Sequence, residues 1–205
     1  MSDPILISAP TIEPVTLAEA RMHLRIDASD TAEDTLISGF IVAARMQAEH
    51  TLNCKLITQT WDVPYDAFPA AGESIRIASG LSPAQSIDQV AYLDSTSVAR
   101  TVSSSNYVLD ASSLPGYVFP VAGYSWPTDV AESANAVKVR VTSGYGSLAS
   151  DVPRNIWSWM LLQIGALYRN REAFATSAFA GTGSVSALPN QFTDRLLDPH
   201  RVWAG

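Results

Sequence analysis

Few residues in this chain have the type and spacing that covalent or acid–base chemistry needs. The histidines are His23, His50 and His200, and no two of them form an HxxxH or HxxE pair. Local pairs of that kind are what metal sites are commonly built from. The single cysteine, Cys54, excludes an intrachain disulfide and cannot make a metal site alone. Its ordinary role is that of a small buried apolar residue, which fits a reducing compartment. Serines are abundant, but none sits in a GxSxG elbow. Asp62, Asp66, Asp88, Asp94 and Asp110 stand at the ends of strand-like runs, where carboxylates usually close turns. The stretch VTSGYGSLASDVP, residues 141–153, has the glycines of a phosphate loop but no Lys followed by Ser or Thr after them. A carbonyl-lined ion filter, the other use of GYG, needs pore helices in lipid around it. The reading is of a non-enzyme, with no catalytic residue, metal or cofactor.

Charge narrows the partners. The 205 residues carry 13 Lys and Arg against 20 Asp and Glu, a net charge of −7. The cations are scattered, whereas a protein that grips DNA by its phosphates clusters them. An acidic protein can still line a passage through which DNA slides, because repulsion prevents sticking. With 47% hydrophobic and 16% charged residues, the chain can bury a real core. Its most apolar run, Ile156 to Tyr168, falls short of the roughly 18–20 residues a bilayer needs, so no membrane partner is expected. The start MSDPILISAP lacks the basic and apolar regions of a signal peptide.

The elements that must carry these residues follow from periodicity. Residues 1–15, with Pro4, Pro10 and Pro14, read as extended. Thr16 and Glu19 have capping-box spacing at the start of a first helix, with Leu17, Ala20, Leu24 and Met22 as its stripe. Asp30 is the expected N-cap of a longer helix over about 31–52. Glu33 and Asp34 lie in its first turn, and Leu36, Ile37, Phe40, Ile41, Ala44 and Ala48 form its apolar face. Asn53 is its expected stop. A third helix, about 153–174, is apolar almost all round and therefore buried on several sides. Asp151 is its expected cap, Pro153 falls in its first turn, and Gly165 allows close approach.

Between helices two and three the period changes from 3.6 to 2. ITQTWDVPY, SIRIA, SIDQVAYLD, RTVSSSNYVLD, GYVFPV and AVKVRVTS read as about six mostly antiparallel strands, with a hairpin turn at Asp94–Ser97. In the last of them Val137, Val139 and Val141 share one face, and Lys138 and Arg140 the other. GYG is then the turn from strand to helix, with Gly144 and Gly146 free to take positive φ. After Ala175 the run TSAFAGTGSVSALPNQF is rich in Gly, Ser and Ala and reads as a linker. TDRLLDPHRVWAG beyond it carries apolar anchors beside Arg195 and Arg201, residue types that favour docking.

This order of segments resembles the head–tail connector (adaptor) proteins of long-tailed phages, prophages and gene transfer agents. The resemblance is carried by PVTLAEARMHLRID (14–27), the acidic start at Asp30–Asp34, LITQTWDVPYDAFP (56–69), VRVTSGYGSLASDVPRNIWSWMLLQIGALYRNRE (139–172) and the tail ALPNQFTDRLLDPHRVW. With the elements above this gives an α+β fold: a three-helix connector-type bundle over 1–54 plus 150–175, a mostly antiparallel β-rich insertion over 55–149, larger than in the minimal, mostly helical connectors, and an extended linker and docking tail over 176–205. The resemblance also implies a non-enzymatic part of the virion neck, assembled in the host cytoplasm. There a ring of copies, a dodecamer, would lie beneath the portal protein, let DNA pass without sequence-specific binding, and offer a surface to a stopper or tail-terminator protein. In that reading Arg195, Leu196, Leu197, Arg201, Val202 and Trp203 touch the portal, or pack on their own chain instead. Arg169, Arg171 and Glu172 are subunit-interface charges, or a solvated helix end. The alternatives are a stopper or tail-completion protein, and a carbohydrate- or peptide-binding β module built on Trp61, Tyr65, Tyr92, Tyr117, Tyr124 and Trp126.

Overall fold

A computed structural model describes residues 3–170 and 194–203. They divide into two compact units, one of residues 3–12, 53–147 and 202–203, the other of 13–52, 148–170 and 194–201.

The second of these is helical. Helix α1 (Leu17–Leu24) starts with the expected capping box: Thr16 Oγ1 accepts from the Glu19 backbone N–H at 3.2 Å, and Glu19 Oε2 accepts from the Thr16 backbone N–H at 2.8 Å. Burial raises the pKa of Glu19, but the Thr16 N–H and hydroxyl hold its carboxyl below the usual range. Helix α2 (Asp34–Leu52) begins later than expected. Asp30 uses its carboxylate on the Ala32 backbone N–H, at 3.1 Å, and so closes a turn ahead of the helix instead of capping it. Asn53 ends α2 with φ +54°, a left-handed conformation that Asn tolerates. Helix α3 (Arg154–Arg169) has Pro153 itself at its N-cap. Asp151 instead accepts the Leu148 backbone N–H at 2.9 Å and closes a 3₁₀ turn before the helix. The expected continuation to residue 174 lies outside the described residues.

The three helices pack on one another. Ile37, Ile41, Ala44, Ala48 and Leu52 of α2 are buried, as are Ile156, Trp159, Met160, Leu161 and Ile164 of α3. Only Arg154 and Arg169 of α3 are exposed, as its all-round apolarity required. Gly165 faces His23, whose Nε2 lies 3.3 Å from where a Cβ would stand. Arg21 pairs with Asp34, and the Tyr168 hydroxyl donates to Glu33 Oε2, so polar bonds link both neighbours to the start of α2. Two expected stripe residues differ. Met22 is 78% exposed and Leu36 is 40% exposed, because the buried side of each helix is narrower than its apolar composition.

The other unit is two antiparallel sheets on one core. Eight strands take part: β1 (Ile5–Ser8), β2 (Gln59–Tyr65), β3 (Ile75–Arg76), β4 (Ala84–Leu93), β5 (Ala99–Val102), β6 (Tyr107–Asp110), β7 (Tyr117–Pro120) and β8 (Val137–Ser143). The larger sheet runs β1-β2-β8-β4-β5 and the smaller β3-β7-β6. The extended N-terminal stretch thus becomes an edge strand. RTVSSSNYVLD, read as one strand, is broken by a 3₁₀ turn at Ser104–Asn106 into β5 and β6, which belong to different sheets. Val63, Val90, Val102, Val139 and Val141 of the larger sheet share a buried cluster with Ile75, Tyr107 and Val118 of the smaller. Among the described residues the elements form an α+β fold of three helices with a β-rich insertion between α2 and α3.

GYG sits where β8 leaves this unit. Gly144 has φ +134°, and a Cβ on it would stand 2.7 Å from the carbonyl carbon and oxygen of Ile57. Such a distance is a clash. The Tyr145 N–H donates to the Leu56 carbonyl at 3.1 Å, and the Thr58 N–H to the Gly146 carbonyl at 2.9 Å. The glycine is required because two backbones meet side by side. Gly146, also expected at positive φ, does not take it. Gly144→Ala is therefore expected to destabilise the protein by about 1–3 kcal/mol from backbone conformation alone, and by more once the clash is included. Thermal unfolding of the variant beside Gly146→Ala, expected to be milder, checks this.

Candidate interaction surfaces

Among the described residues, those that could do chemistry do not converge. Among the described residues no group of three or more His, Cys, Asp or Glu could hold a metal ion, and no helix is long and apolar enough to cross a membrane. Cys54 is buried beside the Tyr145 hydroxyl. His200 Nε2 lies 3.0 Å from Asn155 Oδ1, and His50 is exposed.

The outer side of the larger sheet carries a polar ladder, set by the period-2 alternation of β2 and β8. Asp62 and Arg140 face each other across the two strands. Arg140 Nε donates to Asp62 Oδ1 at 2.7 Å and Nη2 to Oδ2 at 3.0 Å, a bidentate pair, and Lys138 Nζ lies 3.6 Å from Oδ2. Thr60 and Thr142 hydroxyls meet at 3.0 Å, and Thr142 Oγ1 donates to Asp88 at 2.7 Å. The Arg140 hydrogen bond, opposed by burial and aided by the charges of Arg140 and Lys138, holds the Asp62 carboxyl below the usual carboxylate range. Asp94 is held far lower by the Thr96 hydroxyl, the Val98 N–H and Arg100, and these contacts fix the β4–β5 hairpin at 2.6–3.0 Å. Cations in this ladder are therefore tied to carboxylates, not presented to phosphates.

The aromatic residues that would make a carbohydrate or peptide platform are not displayed together. Trp126 is 3% exposed, and its indole N–H donates to the Glu73 carbonyl at 2.8 Å. Phe68 stacks on it with centroids 5.3 Å apart. Trp61, Tyr65, Tyr92, Tyr117 and Tyr124 are all half-buried, and all but Tyr117 pack against the unit's core. A groove of about 390 Å³ runs beside Phe68 and Trp126, but the rings close its floor more than they present a face.

The C-terminal segment is bound to its own chain in part. Leu197 is fully buried. The Leu196 carbonyl accepts from Asn155 Nδ2 at 2.7 Å, and Trp159 Nε1 donates to Asp194 Oδ1 at 3.3 Å. A 3₁₀ turn, Asp198–His200, follows. Arg201 is half-buried, 3.9 Å from Asp198. Val202 is 7% exposed, and its carbonyl accepts from Asn53 Nδ2 at 3.3 Å. Trp203, by contrast, is 73% exposed, and Arg195 is exposed. Of the six tail residues singled out in the sequence, Leu197 and Val202 are packed inward and Arg195 and Trp203 point outward. Of the helix-three charges, Arg169 folds back, its Nε donating to the Gly165 carbonyl at 3.1 Å. Arg171 and Glu172 lie outside the described residues.

Two outcomes follow. Leu197→Ala is expected to cost about 2–5 kcal/mol of stability, whereas Trp203→Ala stays within about 0.5 kcal/mol; denaturant unfolding of both reads this. Asp62→Asn is expected to lower stability at neutral pH and to flatten its loss in acid. The folded carboxyl titrates below its unfolded value of about 4, so its contribution is full above that pH and is lost as pH falls through the folded value. Unfolding midpoints of wild type and variant between neutral and acid pH measure the difference.

No curated protein matches the chain. Among solved structures, a chain from the neck of an empty gene transfer agent (GTA) particle, computed with C6 symmetry, is similar with a TM-score of 0.75 at 18% identity, covering 100% of this chain and 97% of that one. A chain from the virion of a native gene transfer agent particle gives 0.72 at 20% identity, covering 98% and 96%. One from the neck of a native particle computed with C12 symmetry gives 0.66 at 17% identity, covering 100% and 97%. At such identities the likeness is one of fold. Residues 14–110, from the approach to α1 to the end of β6, match the model of the phage gp6-like head-tail connector protein family; the match takes in the resembling segments 14–27, Asp30–Asp34 and 56–69, and leaves out 139–172 and the tail.

Proposed function

We propose that this protein is a structural component of a virion neck, a head–tail connector without enzymatic activity. It forms a ring beneath a portal protein, extends the DNA conduit and offers a docking surface to the tail. The observation that carries this reading is that two independent likenesses coincide. The family match covers residues 14–110, and the fold match to chains from gene transfer agent necks covers the whole chain. The symmetries with which those necks were computed, C6 and C12, support a cyclic arrangement of copies, read here as a dodecamer. The charge supports a passage: the net −7 and the pairing of Arg21, Arg100 and Arg140 with Asp34, Asp94 and Asp62 count against a phosphate-gripping surface.

Contact with the portal falls to the C-terminal segment, with Arg195 and Trp203 as the contacting side chains and Leu197 and Val202 as the anchors that hold the segment in place. The packing of all but Tyr117 of the aromatic set into or against the unit's core counts against a carbohydrate- or peptide-binding module.

Mixing the chain with the portal protein of the same particle, followed by mass photometry, tests this. Wild type is expected to add about one copy per portal subunit. The double variant Arg195→Glu, Trp203→Ala is expected to keep its fold and lose at least about tenfold in affinity, since Trp and Arg anchors each carry roughly 2 kcal/mol or more. A wild-type chain that never binds the portal sinks the adaptor reading and leaves the stopper, which would bind a connector ring instead.

A further inference from the structure

Helix α2 is built the wrong way round for a surface helix. Between Thr35 and Leu52 its only formally charged residues are Arg45 and Glu49, and both are buried, at 9% and 7% exposure. Arg45 Nε donates to Glu13 Oε2 at 2.8 Å, and Nη1 to Glu49 Oε2 at 3.3 Å. Surface helices normally turn such groups outward. The exposed positions from Thr35 to Gln47, about half the circumference at 3.6 residues per turn, hold no Asp, Glu, Lys or Arg. Leu36, Val42 and Met46 are 40%, 38% and 59% exposed. Gly39 and Ala43 lie among them, and a Cβ on Gly39 would meet nothing within 4 Å.

We infer that this face of α2 is a lateral contact with a second copy of the same chain. The inference rests on the ring reading above, in which every copy has neighbours on both sides. The charge pattern selects the occupant. Copies of a chain with net charge −7 repel one another, and like charges brought together cost several kcal/mol. A surface with no carboxylate is where two such chains can meet. The small residues at Gly39 and Ala43 let a neighbouring element come close, and Leu36, Val42 and Met46 supply apolar area around them. Nucleic acid is the wrong occupant, because it needs cations, the exposed positions from Thr35 to Gln47 carry none, and the helix's own Arg45 is turned inward onto two carboxylates. In a closed ring the contact is heterologous, so the face meets a different surface of the next copy.

A photo-crosslinking residue at position 46, used in the full chain assembled on the portal protein, tests the contact. The expected product is an adduct of two copies of this chain. Adducts confined to the portal protein, to nucleic acid or to the same polypeptide overturn the inference. Met46→Glu and Gly39→Leu are expected to leave the unfolding midpoint of the isolated chain close to wild type, since both positions are open. They should raise the concentration needed for complete rings by about tenfold or more. Rings that form unchanged with both variants overturn this assignment alone. If wild type forms no ring on the portal, the ring reading fails and this contact fails with it.

Discussion

The β-rich unit depends on one close approach. An insertion that leaves the helical sequence at residue 53 and returns to it at residue 147 must have its two ends side by side. They are brought there by β2 and β8, paired from Gln59–Ser143 to Tyr65–Val137, and by the backbone of Gly144 lying against Ile57. No side chain fits between them. The pairing then dictates which side chains face in. Val63, Val139 and Val141 enter the shared core, while Asp62, Arg140 and Thr142 line the outer face. A shift of one residue in the register would exchange these two sets.

The helical unit obeys a different constraint. Its polar bonds converge on the first turn of α2 and the residues just before it, where Asp34 meets Arg21 and Glu33 meets Tyr168. Its apolar residues are gathered by α3, which is shielded along nearly its whole length. Burying Arg45 and Glu49 is tolerable because each has a partner; unpaired, either would be strongly destabilising.

Much of this was legible in the residues. The capping box at Thr16 and Glu19, the αL stop at Asn53, the alternation of β8 and the turn at Asp94–Ser97 are local patterns, and each appears in the structure. What sequence could not supply was the competition between neighbours for the same hydrogen bond. Asp30 and Asp151 both look like helix caps, and both accept from turn N–H groups ahead of the helix. RTVSSSNYVLD reads as continuous strand, yet the Ser103 hydroxyl turns the chain between two sheets. Nor could periodicity show which apolar residues of α2 face out. Leu36 and Ile37 are equally apolar, and only packing against α1 and α3 separates them. For the candidate surfaces, residue type pointed to the tail but could not tell an anchor from a contact. Leu197 and Trp203 looked alike in that respect until burial parted them.

That difference has a thermodynamic consequence. Binding through a loose terminal arm loses much of its contact energy to the ordering of the arm. Here the residue just before Trp203 is already fixed, with Val202 packed and its carbonyl bound to Asn53. The indole, 73% exposed, follows directly on that fixed residue, so less chain is left to order than in a loose arm. If the proposed partner receives it, affinity at this position would be set by the fit of one ring more than by the length of the chain that carries it.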